Sequence, residues 1–196
     1  MELPIEDEMT VRCRQSIDVL RNGGINMLAI EIDQTLVTEH TYGQWKGSSK
    51  ELSTKVGPLF LTLVPMALSS GLLVSIVTFS GQTVIIKEVL GLVYGVETAE
   101  KIIVRASDNT WGTMGTAKEG KMYFMSSAAA AGQERFGVAV TRDTTLLIDD
   151  DVRNIKIALK GGVRAVHFLP DTPLEFFVDV SRFVTDAPEP PLLTPP

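Results

Sequence analysis

The chain has 196 residues, enough for one domain of ordinary size with short ends at about 100–200 residues per domain. Its 44% hydrophobic and 21% charged residues exclude a chain disordered throughout and a collagen-like repeat, and a single cysteine, Cys13, excludes an intrachain disulfide. A net charge of -6 argues against nucleic acid or an anionic membrane as a partner held by bulk charge.

Taken in chain order, residues 9–21 form an amphipathic pattern that stops at Gly23-Gly24 and predicts a helix. The apolar run 26–32 predicts a strand. Residues 52–69 predict a helix that Pro58 and Pro65 kink or divide. The run 72–79 predicts the second strand, 82–93 a helix and 101–106 the third strand. Residues 108–117 (DNTWGTMGTA) read as a turn-rich loop. A helix is expected to start between Lys118 and Lys121 and to run to about Ala131. The fourth strand is 145–148, a helix follows over 152–160, the fifth strand is 164–168, and a last helix covers 174–183. The strands are rich in Val, Ile and Leu without polar alternation, as expected of strands covered on both faces. The last eleven residues hold five prolines and cannot continue a helix. The division expected is an N-terminal helix (1–24) packed on a core domain (25–185), then a proline-rich tail (186–196).

The acidic start MELPIEDEMT lacks the cationic region of a secretory signal, and the apolar stretch 59–79 is interrupted by Pro65, Ser69, Ser70 and Gly71. With the lone cysteine, these features predict a cytoplasmic protein without a membrane span. Alternation of strand and helix predicts an α/β, Rossmann-like fold: a parallel sheet sandwiched by helices. In such sheets ligands bind beyond the carboxyl ends of the strands, so the residues that follow each apolar run carry the chemistry.

Four of those ends stand out. The first run leads into Glu31-Ile32-Asp33-Gln34-Thr35, with two acids at i and i+2. The second ends in Thr78-Phe79-Ser80-Gly81, offering a hydroxyl for an anionic oxygen. Lys121 lies before the fourth, which ends in Asp149-Asp150-Asp151, and is expected to pair with Asp149 or Asp150 in the empty site. Adjacent carboxylates after a buried run are costly unless a cation balances them. Acids from two strand ends, a hydroxyl and a lysine predict a site for magnesium and phosphate, since Mg²⁺ takes hard oxygen ligands. Taken singly, each element has an ordinary structural explanation, and Asp150 or Asp151 could cap the following helix. Order and spacing together favour the site.

These residues resemble the motifs of the haloacid dehalogenase superfamily, without a large cap domain and closest in look to its magnesium-dependent phosphatases. The segment Glu31-Ile32-Asp33-Gln34-Thr35 is similar to the Asp-x-Asp-x-Thr motif, Thr78 to the second-motif hydroxyl, Lys121 (with Lys118 as alternative) to the third-motif lysine, and Asp149-Asp150 to the final acid pair. The stretch 32–37 also resembles the carboxy-terminal-domain phosphatases. The resemblance implies phosphate monoester hydrolysis through a covalent acyl-phosphate. It implies attack by the acid at position 31, acid-base work by Asp33, and phosphoryl binding by Thr78 and Lys121. Mg²⁺ would be held by Glu31, the carbonyl of Asp33 and Asp149, with Thr35, Asp150 and Asn154 in support.

One departure is chemical. The nucleophile position holds Glu31 where the family has aspartate, and a displacement of about 1 Å can cost about 100-fold in rate. An impaired enzyme and an inactive phosphatase fold acting as a binding or regulatory protein both stay open. The segment 37–50, with Tyr42 and Trp45, is expected to form a flap over the site, Trp45 either touching substrate or packing the flap. His40 lies in that flap, and His167 at the end of the fifth strand reads as structural. The short chain from Thr35 to Thr78 leaves no room for a large cap, and an open site of that kind suits a large substrate such as a phosphoprotein as well as a small molecule. A receiver domain of signalling proteins is the rival with similar groups, but too little chain follows Asp151 to complete one.

Overall fold

The computed structural model describes residues 6–111 and 117–185. Five strands, β1 (Met27–Ile30), β2 (Leu73–Val77), β3 (Ile103–Arg105), β4 (Thr145–Asp149) and β5 (Arg164–His167), form one parallel sheet in the order β3-β2-β1-β4-β5. This is the α/β, Rossmann-like parallel sheet that the alternation predicts. The helices are α1 (Glu8–Asn22), α2 (Ser49–Ser53), α3 (Pro58–Ser69), α4 (Thr83–Tyr94), α5 (Val96–Ala99), α6 (Met122–Phe136), α7 (Val152–Lys160) and α8 (Glu175–Thr185). The proline tail and residues 112–116 of the expected loop lie outside the described residues.

Alternate residues of the central strands feed two cores. Leu28, Ile30, Val74, Ile76, Leu146 and Ile148 pack with α1, α3, α4 and α8, and Cys13 is buried in that layer. Met27, Ala29, Leu73 and Leu147 pack on the other face with Phe124, Met125 and Ala128 of α6 and Ile155 and Ala158 of α7. The expected pair of covering layers is therefore present over β1, β2 and β4, which are buried along their length. The edge strands depart from it. β3 and β5 are only partly covered, since each lacks a neighbour strand on one side.

Pro58 divides the segment 52–69 as one of the two options required: it sits at the first position of α3, where its missing N–H costs nothing. Pro65 is held inside α3. The helix near Lys121 begins at Met122 and runs past Ala131 to Phe136, ending at Gly137 in the left-handed conformation. The short α5 has no counterpart in the sequence reading; with four residues and no buried side chain, it has no apolar periodicity to read.

Among the described residues no helix is long and apolar enough to cross a membrane. The strand order places the site. Connections leave β1 toward β2 on one side and reach β4 on the other, so the carboxyl ends of β1 and β4 border the point where the winding reverses. A crevice opens there in doubly wound sheets.

Candidate functional site

β1 ends at Ile30, and Glu31 continues the ladder by donating its N–H to the Ile148 carbonyl at 3.0 Å. The chain then makes a wide turn over Ile32–Leu36, closed by the Leu36 N–H to the Glu31 carbonyl (3.1 Å) and the Val37 N–H to the Ile32 carbonyl (3.0 Å). Gln34 adopts the left-handed region, φ 51, at the apex. The turn sends the side chains of Glu31 and Asp33 into one cavity of about 630 Å³. Thr35 lies beneath it, fully buried, its hydroxyl without a hydrogen-bond partner among the described residues.

Glu31 is buried, and both of its oxygens are engaged. Thr78, at the end of β2, donates its hydroxyl to Glu31 Oε1 at 2.7 Å, and Lys121 Nζ forms an ion pair with Oε2. The Ser80 N–H donates back to the Thr78 hydroxyl at 3.1 Å and fixes it. Lys121 is 2% exposed, so its charge is spent inside the site. Its ammonium also lies 3.8 Å from the Phe79 ring centroid, a cation–π contact. Lys118, the alternative lysine, is exposed on the short turn Ala117–Glu119 and is not part of this cavity. Gly120 carries the chain between them with φ 55, and a Cβ there would stand 3.2 Å from Asn154 Oδ1.

Asp149 closes the far wall. Its carboxylate accepts the Asp151 N–H at 2.8 Å and both oxygens accept from Asn154 Nδ2, at 3.2 and 3.0 Å. Burial first, and the neighbouring Glu31 charge second, push the Asp149 carboxyl up to about 7, with Lys121 opposing. Asp150 is raised by the same two causes in the same order. Asp151 is the cap of α7, accepting the Arg153 N–H at 2.8 Å, so the structural option belongs to the third acid of the cluster. His167 anchors the loop through Nε2, 2.7 Å from the Asp150 carbonyl, consistent with its structural assignment.

The structure therefore gathers Glu31, Asp33, Thr78, Lys121, Asp149, Asp150 and Asn154 around one cavity. One expectation needs correction, and one open choice is decided. Lys121 forms its ion pair with Glu31 and not with Asp149 or Asp150. Trp45 does not line this cavity. It is half-buried against the core, donates Nε1–H to the Ser48 carbonyl at 3.0 Å, and takes the packing option. Tyr42 does line the cavity, 78% exposed at its mouth. Thr41 and Ser80 were not singled out in the sequence; both are small hydroxyl residues without a distinguishing spacing. A larger groove of about 820 Å³ runs along α4 and α5 and includes none of these strand-end residues.

No protein-family model and no curated protein matches the chain. Two solved structures are similar in shape. One is an uncharacterized protein from Corynebacterium glutamicum, 17% identical, covering 84% of this chain and 99% of that one with a TM-score of 0.47. The other is the HAD domain of effector protein Lem4 from Legionella pneumophila, in an inactive mutant, 16% identical, covering 83% of this chain and 97% of that one with a TM-score of 0.44.

Proposed function

We propose that the chain is a magnesium-dependent phosphatase of the haloacid dehalogenase type, hydrolysing a phosphorylated protein or small molecule through an acyl-phosphate on Glu31. The observation that carries this reading is the meeting of two buried strand-end acids, Glu31 and Asp149, with Thr78 and Lys121 at the reversal point of the sheet.

The donor set fits a hard divalent cation. Glu31, Asp149 and Asp150 face one lysine, and the Asp149 carboxyl is raised by burial first and by the Glu31 charge second. No group of three or more His, Cys, Asp or Glu among the described residues is arranged to hold a metal by side chains alone. The proposed set needs only two carboxylates, Glu31 and Asp149, with the Asp33 carbonyl, and Mg²⁺ commonly takes its remaining ligands from water and phosphate. When bound, the ion supplies positive charge that offsets repulsion between a carboxylate and a phosphate dianion.

The residues then divide the work. A Glu31 oxygen attacks phosphorus and the bond to the leaving oxygen breaks, while Asp33 gives that oxygen a proton. Asp33 next takes a proton from water, whose oxygen attacks phosphorus and releases phosphate and the Glu31 carboxylate. Thr78 and Lys121 bind the phosphoryl oxygens and Asn154 orients Asp149.

A second reading has its own support. Thr78 and Lys121 already bind the Glu31 carboxylate, so phosphate must displace it before they can serve. A binding or regulatory protein without turnover would look the same. Hydrolysis of 4-nitrophenyl phosphate with and without Mg²⁺ separates the two. Turnover that requires Mg²⁺ and is lost in Asp149→Asn supports the phosphatase; its absence at high enzyme concentration supports the binding protein.

A further inference from the structure

We propose that His40 and Thr41 form a clamp that sets the rotation of the Asp33 carboxylate, making both of them positioning residues for the proton transfers assigned to Asp33. The inference rests on the phosphatase reading for the role of Asp33, but on geometry alone for the clamp. Thr41 donates its hydroxyl to Asp33 Oδ1 at 2.6 Å, and His40 Nδ1 lies 2.9 Å from Asp33 Oδ2. A carboxylate accepts only, so the imidazole donates from Nδ1. The Tyr42 N–H also approaches Nδ1, at 3.3 Å; the shorter contact to an anion takes the ring proton. With a donor on each oxygen, the carboxylate has one rotation that satisfies both.

Two consecutive side chains of an extended segment point to opposite sides. Their convergence on one carboxylate requires a built turn, and the flap has one. Tyr42 adopts a left-handed conformation, φ 55, which a tyrosine takes only where its surroundings hold it. Its ring stacks on His40 with centroids 3.9 Å apart and planes at 17°. Gly43 follows at φ 66, donates its N–H to the Thr41 hydroxyl at 3.1 Å, and passes so close to Ser80 that a Cβ would meet the Ser80 Cα at 3.3 Å. Gln82 ties the end of the flap down, accepting the Trp45 N–H at 2.6 Å and donating to the Trp45 carbonyl at 3.0 Å. Thr41 is 8% exposed, so its hydroxyl is committed inside the protein. A flap anchored beyond the clamp holds Asp33 at a fixed angle to the cavity, which general acid catalysis requires.

The test compares two substrates in the full chain with excess Mg²⁺. 4-Nitrophenolate departs with little help from a proton, whereas the alkoxide of glycerol 2-phosphate needs one. Thr41→Val is expected to lower kcat on glycerol 2-phosphate at least about 10-fold more than on 4-nitrophenyl phosphate, with KM little changed and Thr41→Ser restoring the rate. Equal losses on both substrates, or none, overturn the clamp. A crystal structure of the His40→Ala/Thr41→Val chain supplies a readout that needs no turnover: an Asp33 carboxylate turned from its parental rotation supports the clamp, and an unmoved one overturns it. A parent chain that hydrolyses neither substrate counts against the phosphatase reading, and the crystal structure then decides the clamp.

Discussion

Asp149 is fully buried at the end of β4, yet it faces another acid across the crevice, and its carboxyl is pushed up to about 7 from an ordinary 3.8. A group whose folded pKa lies above its unfolded one favours the folded state only while protonated. Its contribution is complete below the ordinary value and is lost as pH rises from about 4 to about 7, at no more than about 1.4 kcal/mol per pH unit. The metal-free protein should therefore lose stability over that range in urea unfolding. Asp149→Asn should flatten the decline, and an unchanged slope would place its origin elsewhere. Lys121 is the counterweight. Replacing it with Met strands the buried Glu31 carboxylate, and a broken buried pair typically costs about 3–5 kcal/mol. Thermal unfolding should show that loss, and a variant as stable as the parent would contradict the compensating role. Sequence made Glu31, Asp33, Thr78 and Asp149 visible because each follows an apolar run. Thr41 gave no such sign. Its importance arises from a left-handed turn at Tyr42, and no local pattern of residue types announces a positive φ at a tyrosine.

At the scale of elements, strands were readable where burial is complete. β1, β2 and β4 are buried along their length and mostly apolar, with helices covering both faces. β3 keeps only three residues and is partly exposed at the sheet edge. The start of α6 turned on which lysine enters the site, and spacing alone left Lys118 and Lys121 open. Gly120 decides it in the structure: its φ of 55 swings Lys121 inward while Lys118 stays on the surface. Gly120→Ala must hold a side chain in the left-handed region and press Asn154 Oδ1. It should destabilise the protein by at least about 1 kcal/mol. It should also loosen the Asn154 contact to Asp149, so Mg²⁺ should raise its Tm less than it raises that of the parent. A Gly120→Ala chain with parental Tm and parental response to Mg²⁺ would show that this turn does not position the site.

For the whole molecule, the order β3-β2-β1-β4-β5 turns residues far apart in sequence into neighbours. Glu31 and Asp149 stand at the ends of paired strands, Ile30 beside Ile148, while Thr78 follows β2, the other strand paired with β1, and Lys121 precedes α6. The alternation of strands and helices made the parallel sheet legible. It could not show that Glu31 would fold onto Thr78 and Lys121, because that contact joins residues far apart in sequence inside a buried cavity. The central claim is that a working phosphate site is held back by that carboxylate's reach. On the proposed phosphatase reading, a shorter acid at position 31 should draw the carboxylate off Thr78 and Lys121 and leave it in line for attack. The most direct measurement is Mg²⁺-dependent hydrolysis of 4-nitrophenyl phosphate by the parent and by Glu31→Asp, with Mg²⁺ in excess. The expected result is a rise of at least about 10-fold, roughly 1.4 kcal/mol of transition-state stabilisation, with capture of beryllofluoride by the variant. A Glu31→Asp chain that is no more active than the parent and does not capture beryllofluoride would contradict it.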